Sequence, residues 1–264
     1  MANGFTKTIY RKEDGVAWIV LNNPARYNAL ELDLRRELKT ALEDAAKDSG
    51  VRVVVLRGAG GNFSAGADIR AFFEWSPSDA VRIGNELGTS MVLSTIIRNM
   101  QKPVVAVVEG YCLGGGFELV QACDLVIASE DAVFGQPEIN LGLIPGGGGS
   151  QRLTRLIGEK KAKELIMTGE RVSASEMAKL GVVNVVAAKE KLEETVKNFL
   201  EKLLSKPPLA LAAAKEAVNA ALETGLSAGL RLELQLFASL FSTEDQKEGA
   251  RAFLEKRKPV WKGK

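Results

Sequence analysis

Four short stretches of this chain are apolar at nearly every position and rich in valine and isoleucine: VAWIVLNNP (16–24), VRVVVLRG (51–58), KPVVAVVEG (102–110) and DLVIAS (124–129). A strand with one wet face alternates polar and apolar residues, whereas a strand covered on both faces does not need to. These runs therefore predict buried strands, ended by Asn, Pro and Gly. VVNVV (182–186) is a further strand of the same kind. Between them lie segments with helical periodicity. In residues 29–48, Leu30, Leu34, Leu38 and Leu42 recur every four positions with charges in the gaps, which predicts an amphipathic helix. Residues 78–100 read as one long helix. Strands alternating with helices make an α/β fold with mostly parallel sheets. From about Glu190 the pattern becomes helical throughout, broken at Pro207, Pro208 and Gly225. The expected organisation is an α/β core of residues 1–190 and a helical C-terminal region of residues 191–264.

The 264 residues include no histidine. Ser-His and Cys-His nucleophile pairs and imidazole zinc sites are thereby excluded, so acid–base chemistry falls to carboxylates, Lys, Tyr or Cys. A net charge of +2 gives no reason to expect nucleic acid as the main partner. Cys112 and Cys123 are too few for a disulfide framework and fit a reduced setting. The N-terminal residues lack an apolar signal core, and no run of about 18 apolar residues is present, so a cytoplasmic protein without a membrane span is expected.

The stretch GYCLGGGFELV (110–120) sets three glycines before Phe117 and Glu118, and a second glutamate, Glu138, follows in FGQPEINLGLIPGGGG. Glycines ahead of a helix leave N–H groups free, and the helix N-terminus favours negative charge. Glu118 in that first turn either complements the helix dipole or handles protons. Glu138 is either an exposed loop residue or its partner. GNFSAGADI (61–69) adds small residues at Ala65, Gly66 and Ala67, whose backbone N–H groups suit a developing oxyanion. Ser64 has no histidine to activate it. RVVVLRGAGGNF lacks the third glycine of a dinucleotide fingerprint, and PGGGGSQRL lacks a phosphate-loop lysine and reads as a turn into a helix. Two glutamates beside glycine-lined turns suggest a paired acid–base site.

In combination, NFSAGADI, GYCLGGGFELVQACDLVIA, FGQPEINLGLIPGGGGSQRLTRLIG, the early LNNPARYNAL and the final STEDQKEGARAFLEKRKPVWKGK resemble the crotonase (enoyl-CoA hydratase/isomerase) family over nearly the whole chain. The resemblance implies a spiral of repeated ββα units followed by a helical trimerisation region, and a homotrimer or dimer of trimers. It implies an acyl-CoA thioester substrate whose carbonyl oxygen sits between two N–H groups, by motif position those of Ala65 and Gly115. Coenzyme A is expected along Ala65, Ala67, Asp68 and Ile69, with Arg26 near its phosphates, Gly146 in the glycine loop, Phe253 on the acyl group and Lys256 at a CoA phosphate. Glu118 and Glu138 together imply syn hydration of a trans-2-enoyl-CoA, or the reverse dehydration. Glu118 would take a proton from water, Glu138 would protonate the α-carbon, and no metal or cofactor is needed beyond the CoA of the substrate. The alternatives are a Δ3,Δ2-enoyl-CoA isomerase, and an RNA-binding or structural homologue using the basic GEKKAKEL (158–165). Phe117, where smaller residues are common in the family, is expected to narrow the acyl pocket.

Overall fold

The computed structural model describes residues 4–264. Its strands are β1 (Thr8–Glu13), β2 (Val16–Leu21), β3 (Val53–Gly58), β4 (Val104–Val108), β5 (Tyr111–Leu113), β6 (Leu125–Ser129), β7 (Val133–Gly135), β8 (Arg171–Ser173) and β9 (Val185–Ala187). Six of them form one sheet in the order β1-β2-β3-β4-β6-β9, parallel except for the antiparallel pair β1–β2. Both faces are covered, which accounts for the continuous apolar runs. Ile19, Leu56, Ala106 and Ala128 point into one core, while Val55, Val105, Val107 and Ile127 point into the other.

The helices are α1 (Leu32–Lys47), α2 (Pro77–Leu87), α3 (Ser94–Asn99), α4 (Gly115–Val120), α5 (Gly149–Ile157), α6 (Glu159–Thr168), α7 (Ala174–Lys179), α8 (Leu192–Leu204), α9 (Pro208–Ala220), α10 (Leu226–Leu240) and α11 (Glu244–Leu254). Helix α1 buries Leu34, Leu38 and Leu42 as its period predicts. Leu192, Val196 and Leu200 of α8 join the second core, so the helical region expected from residue 191 opens with a helix packed on the sheet. In contrast, α9 and α10 bury none of their residues in the single chain.

A second sheet of three-residue strands, β5-β7-β8, positions the site. Strand β5 runs parallel to β7, with Leu113 opposite Gly135. On the other side of β5 lies the stretch from Ser64, bridged to Cys112. Each turn of the chain thus lays one long strand in the large sheet, then a short one beside it, then helical structure. This happens from β3 to residues 64–67, from β4 to β5 and α4, and from β6 to β7 and α5. That is the ββα spiral implied by the resemblance.

The single helix expected over residues 78–100 is instead interrupted. Helix α2 stops at Gly88, whose backbone is extended and where a Cβ would lie 2.1 Å from the Gly84 carbonyl oxygen. A π-helical turn (Thr89–Leu93) follows before α3 and brings buried Thr89 against Gly147.

Candidate active site

Three parallel segments leave the same edge of the small sheet: residues 65–67, Gly114 after β5, and Gln136 after β7. The Gly114 N–H donates to the Gly135 carbonyl at 2.9 Å, which ties the last two together. Glu118 and Glu138, twenty positions apart in the chain, are carried by these adjacent exits. Glu118 sits in the first turn of α4, and Glu138 sits in a 3-10 turn (Pro137–Leu141). Gly114 takes φ +50°, and a Cβ there would lie 3.0 Å from Glu138 Oε1. Only glycine gives this left-handed turn with a carboxyl laid over it.

Glu118 is 3% exposed. Its Oε1 accepts the N–H of Gly147 at 2.6 Å and of Gly149 at 2.8 Å. Gly149 is the first residue of α5, so the carboxylate also caps the positive end of that helix. Gly147 permits the approach, because a Cβ there would fall 2.2 Å from Glu118 Oε2. Burial pushes the Glu118 carboxyl above its ordinary range, opposed by the Gly149 and Gly147 N–H groups and by the charges of Arg152 and Arg35.

Glu138 is half-buried and is pushed up to about 7, first by burial and also by the charge of Glu118. Its polar support is the buried Gln136. With the Gln136 amide nitrogen turned to Glu138, it donates to Oε1 at 3.0 Å and Oε2 at 3.1 Å, while its oxygen accepts from Gln121 Nε2 at 2.9 Å. The two carboxyls are therefore unequal. Two backbone donors, a helix terminus and two guanidinium charges oppose the upward push on Glu118, whereas only its own backbone N–H opposes it at Glu138, where the charge of Glu118 adds to it. Two like charges so close disfavour the doubly ionised pair, and the cations and N–H donors gather on the Glu118 side.

The N–H assignment made from motif position needs one correction. The Ala65 N–H donates to the Tyr27 carbonyl at 2.8 Å and is not available to a ligand. Tyr27 adopts φ +50°, which turns its carbonyl inward. Two residues on, the Ala67 N–H has no acceptor among the described residues. Gly115 is the first residue of α4, so its N–H has no intrahelical acceptor either. A Cβ on Gly115 would lie 3.7 Å from the Ala67 nitrogen and 3.8 Å from Glu118 Oε2. Thus Ala67, Gly115 and Glu118 face one small volume, with Ala67 in the place expected of Ala65. Ser64, discounted as a nucleophile, is fully buried, and its Oγ donates to the Asn28 carbonyl at 2.8 Å.

Arg26, Ala67 and Asp68 line a cavity of about 390 Å³ together with Leu30, Arg70 and Trp75. Arg26 is paired with Glu31 at 2.7 Å, and Asp68 with Arg70 at 2.5 Å. Ile69 opens the next 3-10 turn and is exposed, as is Gly146 in the glycine loop. Phe253, 84% exposed on α11, and Lys256 beyond it share no hydrogen bond or ion pair with the two glutamates within this chain. Phe117 does not narrow a pocket: it is fully buried and packs edge-on to Phe134 at 5.3 Å, turned into the core by α4. Sequence reasoning missed Gln136, Gln121 and Arg152. Their roles arise from contacts with backbone or with each other and leave no spacing motif.

The chain matches the enoyl-CoA hydratase/isomerase family over residues 11–264. It is 44% identical to a probable mitochondrial enoyl-CoA hydratase of Dictyostelium discoideum, across 98% of this chain and 92% of that one. It is 40% identical to the crotonyl-CoA hydratase of Syntrophomonas wolfei, across 96% and 97% of the two chains. Among solved structures, subunit I of an enoyl-CoA hydratase from Geobacillus kaustophilus HTA426 superposes with a TM-score of 0.92 at 43% identity, covering 98% of this chain and 99% of that one.

Proposed function

The chain belongs to the enoyl-CoA hydratase/isomerase family, and we propose that it is the hydratase that adds water reversibly and syn across the double bond of a trans-2-enoyl-CoA to give a 3-hydroxyacyl-CoA. The observation that carries this reading is the pair of unequal carboxyls above Gly114 and Gly115, one held by two N–H groups and the other pushed up to about 7.

In this scheme the thioester oxygen accepts the N–H groups of Ala67 and Gly115, which draws electron density from the β-carbon. Glu118 Oε2 takes a proton as a water oxygen bonds to that carbon. The electron pair of the double bond moves into an enolate held by the two N–H groups, and a donor of this kind contributes about 3 kcal/mol to the transition state. Glu138 then gives its proton to the α-carbon. One water is consumed and no electrons are lost, so no redox step arises, and the pair is reset when Glu118 releases its proton to solvent and Glu138 takes one up. An isomerase only moves a proton between carbons and needs one carboxyl, so the supported, ionised Glu118 favours hydration. The RNA-binding alternative loses ground at α6, where Lys161 pairs with Glu164 at 2.8 Å and Lys163 pairs with Glu159.

The pH dependence tests the scheme. Hydration starts with Glu118 ionised and Glu138 protonated. As pH rises through about 7, Glu138 loses its proton and kcat/KM for crotonyl-CoA falls; at low pH Glu118 gains a proton and it falls again. A profile flat from about pH 5 to about pH 9, or no hydration at any pH, contradicts the reading.

The reading extends to a homotrimer or dimer of trimers. Leu226, Leu230, Leu234 and Phe237 on α10, with Phe241 capping its end, form an exposed apolar stripe that one chain leaves uncovered. In such an assembly, the exposed Phe253 and Lys256 are free to reach a neighbour's acyl and phosphate groups. Light scattering at micromolar concentration is expected to give at least three chains, and a monomer overturns this part. The reading also places the protein in the cytoplasm, which cell fractionation checks; no helix among the described residues is long and apolar enough to cross a membrane.

A further inference from the structure

Behind the Glu118 carboxylate lies a second layer that the scheme above does not use. Arg152, one turn into α5, folds back so that Nη1 donates to the Gly147 carbonyl at 3.0 Å. The same residue, Gly147, donates its N–H to Glu118 Oε1. Gly148, at φ +104°, lies between this donor and Gly149, and a Cβ on it would fall on the Arg152 guanidinium. The glycine loop is thus wrapped around one planar cation, with both of its working N–H groups turned outward to one oxygen of Glu118.

We propose that Arg152 is a positioning residue for the hydration: by fixing the Gly147 carbonyl it aims the Gly147 and Gly149 N–H groups at Glu118 Oε1, which leaves Oε2 as the free base over the reacting carbons. The inference rests on the hydratase reading. Oε1 is consumed by two donors, so only Oε2 can take a proton, and a Cβ on Gly115 would lie 3.8 Å from it, beside the Ala67 nitrogen. The guanidinium is itself half-buried; burial and the charge of Arg98 on α3 lower its proton affinity, while Glu118 raises it. It therefore acts on Glu118 by charge as well as through the loop.

The charged groups around Glu118 are few. Helix α5 brings Arg152, with the exposed Arg155 turned to the Gln151 carbonyl. Helix α1 brings Arg35, whose Nε donates to the Leu30 carbonyl at 2.8 Å. The 3-10 turn brings Glu138, β5 brings Tyr111 and the buried Cys112, and the π-helical turn TSMVL brings none. Removing Arg152 takes away the cation that is joined to Glu118 through Gly147, whose carbonyl accepts Nη1 and whose N–H donates to Oε1.

The experiment compares kcat, KM and the pH profile of kcat/KM for crotonyl-CoA hydration in the parent, Arg152→Gln and Arg152→Lys. Loss of aim on the base lowers kcat about 10- to 100-fold in Arg152→Gln with KM nearly unchanged, because a misplacement of about 1 Å costs that much. Loss of the charge moves the acidic limb, set by Glu118, upward by about one pH unit. Arg152→Lys keeps the charge but not the planar donor, so its acidic limb stays in place while kcat falls about tenfold. A merely structural arginine predicts a lower Tm with parental kcat per folded site and an unmoved limb, and that result overturns the proposal. Should Arg152→Gln fail to fold, Arg152→Lys decides through kcat, where a parental value is the overturning result. A parent that hydrates no enoyl-CoA fails the hydratase reading itself, whereas an active parent with indifferent variants fails only this inference.

Discussion

Glu118→Gln is expected to lower kcat for hydration by about 10²–10⁴-fold, the usual contribution of a general base, with the fold and KM preserved. The substitution is nearly isosteric. Its amide oxygen still accepts the Gly147 and Gly149 N–H groups that hold Oε1 at 2.6 and 2.8 Å, so the side chain stays in place and the glycine loop keeps its partner. What is lost is the second oxygen as a proton acceptor, since an NH₂ group then faces the water. Charge also leaves the buried site, and with it the pressure on Glu138, whose elevated value owes part of its shift to Glu118. The alkaline limb of any residual activity therefore moves to lower pH. Near-parental turnover in a folded variant removes Glu118 from the mechanism.

Gly115→Pro is the second large effect, expected to cost about 10²–10³-fold in kcat, the loss typical of one oxyanion-hole donor. The position suits the test. Gly115 is the first residue of α4, where proline is tolerated and where no intrahelical hydrogen bond uses the N–H. A Cβ there meets a flexible Leu30 methyl at 3.3 Å and the Ala67 nitrogen at 3.7 Å. Gly115→Ala introduces that same Cβ but keeps the N–H. It is the control for the Cβ: if crowding by that atom causes the loss, alanine and proline fall together, and if the loss comes from replacing the N–H by the proline ring, alanine retains far more activity. Equal losses contradict the assignment of Gly115 to the oxyanion.

Much of this was legible in the residues, for identifiable reasons. The strands of the large sheet announced themselves because both faces are buried, so Val53–Gly58 and Val104–Val108 needed no alternation. The small sheet did not, because β5, β7 and β8 are three residues each, too short for any period to emerge. Yet it is this sheet that brings Glu118 and Glu138 to adjacent exits; the glycine runs suggested the pairing, while the short strands that make it left no pattern to read. The break at Gly88 was hidden because apolar residues continue on both sides of it. The choice between Ala65 and Ala67 was beyond a motif: both are alanines in one turn, and what separates them is the Tyr27 carbonyl, turned by a left-handed backbone 38 residues earlier in the chain than Ala65. Arg152 was invisible for a related reason, since a side chain that serves a backbone carbonyl has no partner residue type to look for.

The central claim is that two carboxyls of different protonation carry out hydration, with Glu118 as the base for water. The most direct measurement gives the parent and Glu118→Gln the same pair of substrates, trans-2-enoyl-CoA with water and 3-enoyl-CoA, and follows 3-hydroxyacyl-CoA and rearranged enoyl-CoA as products. The account predicts that the parent makes 3-hydroxyacyl-CoA rapidly and that Glu118→Gln loses this by about 10²–10⁴-fold, while any slow movement of the double bond, which needs only Glu138, falls far less. A parent that moves the double bond but adds no water, or a Glu118→Gln variant that loses both reactions equally, contradicts it.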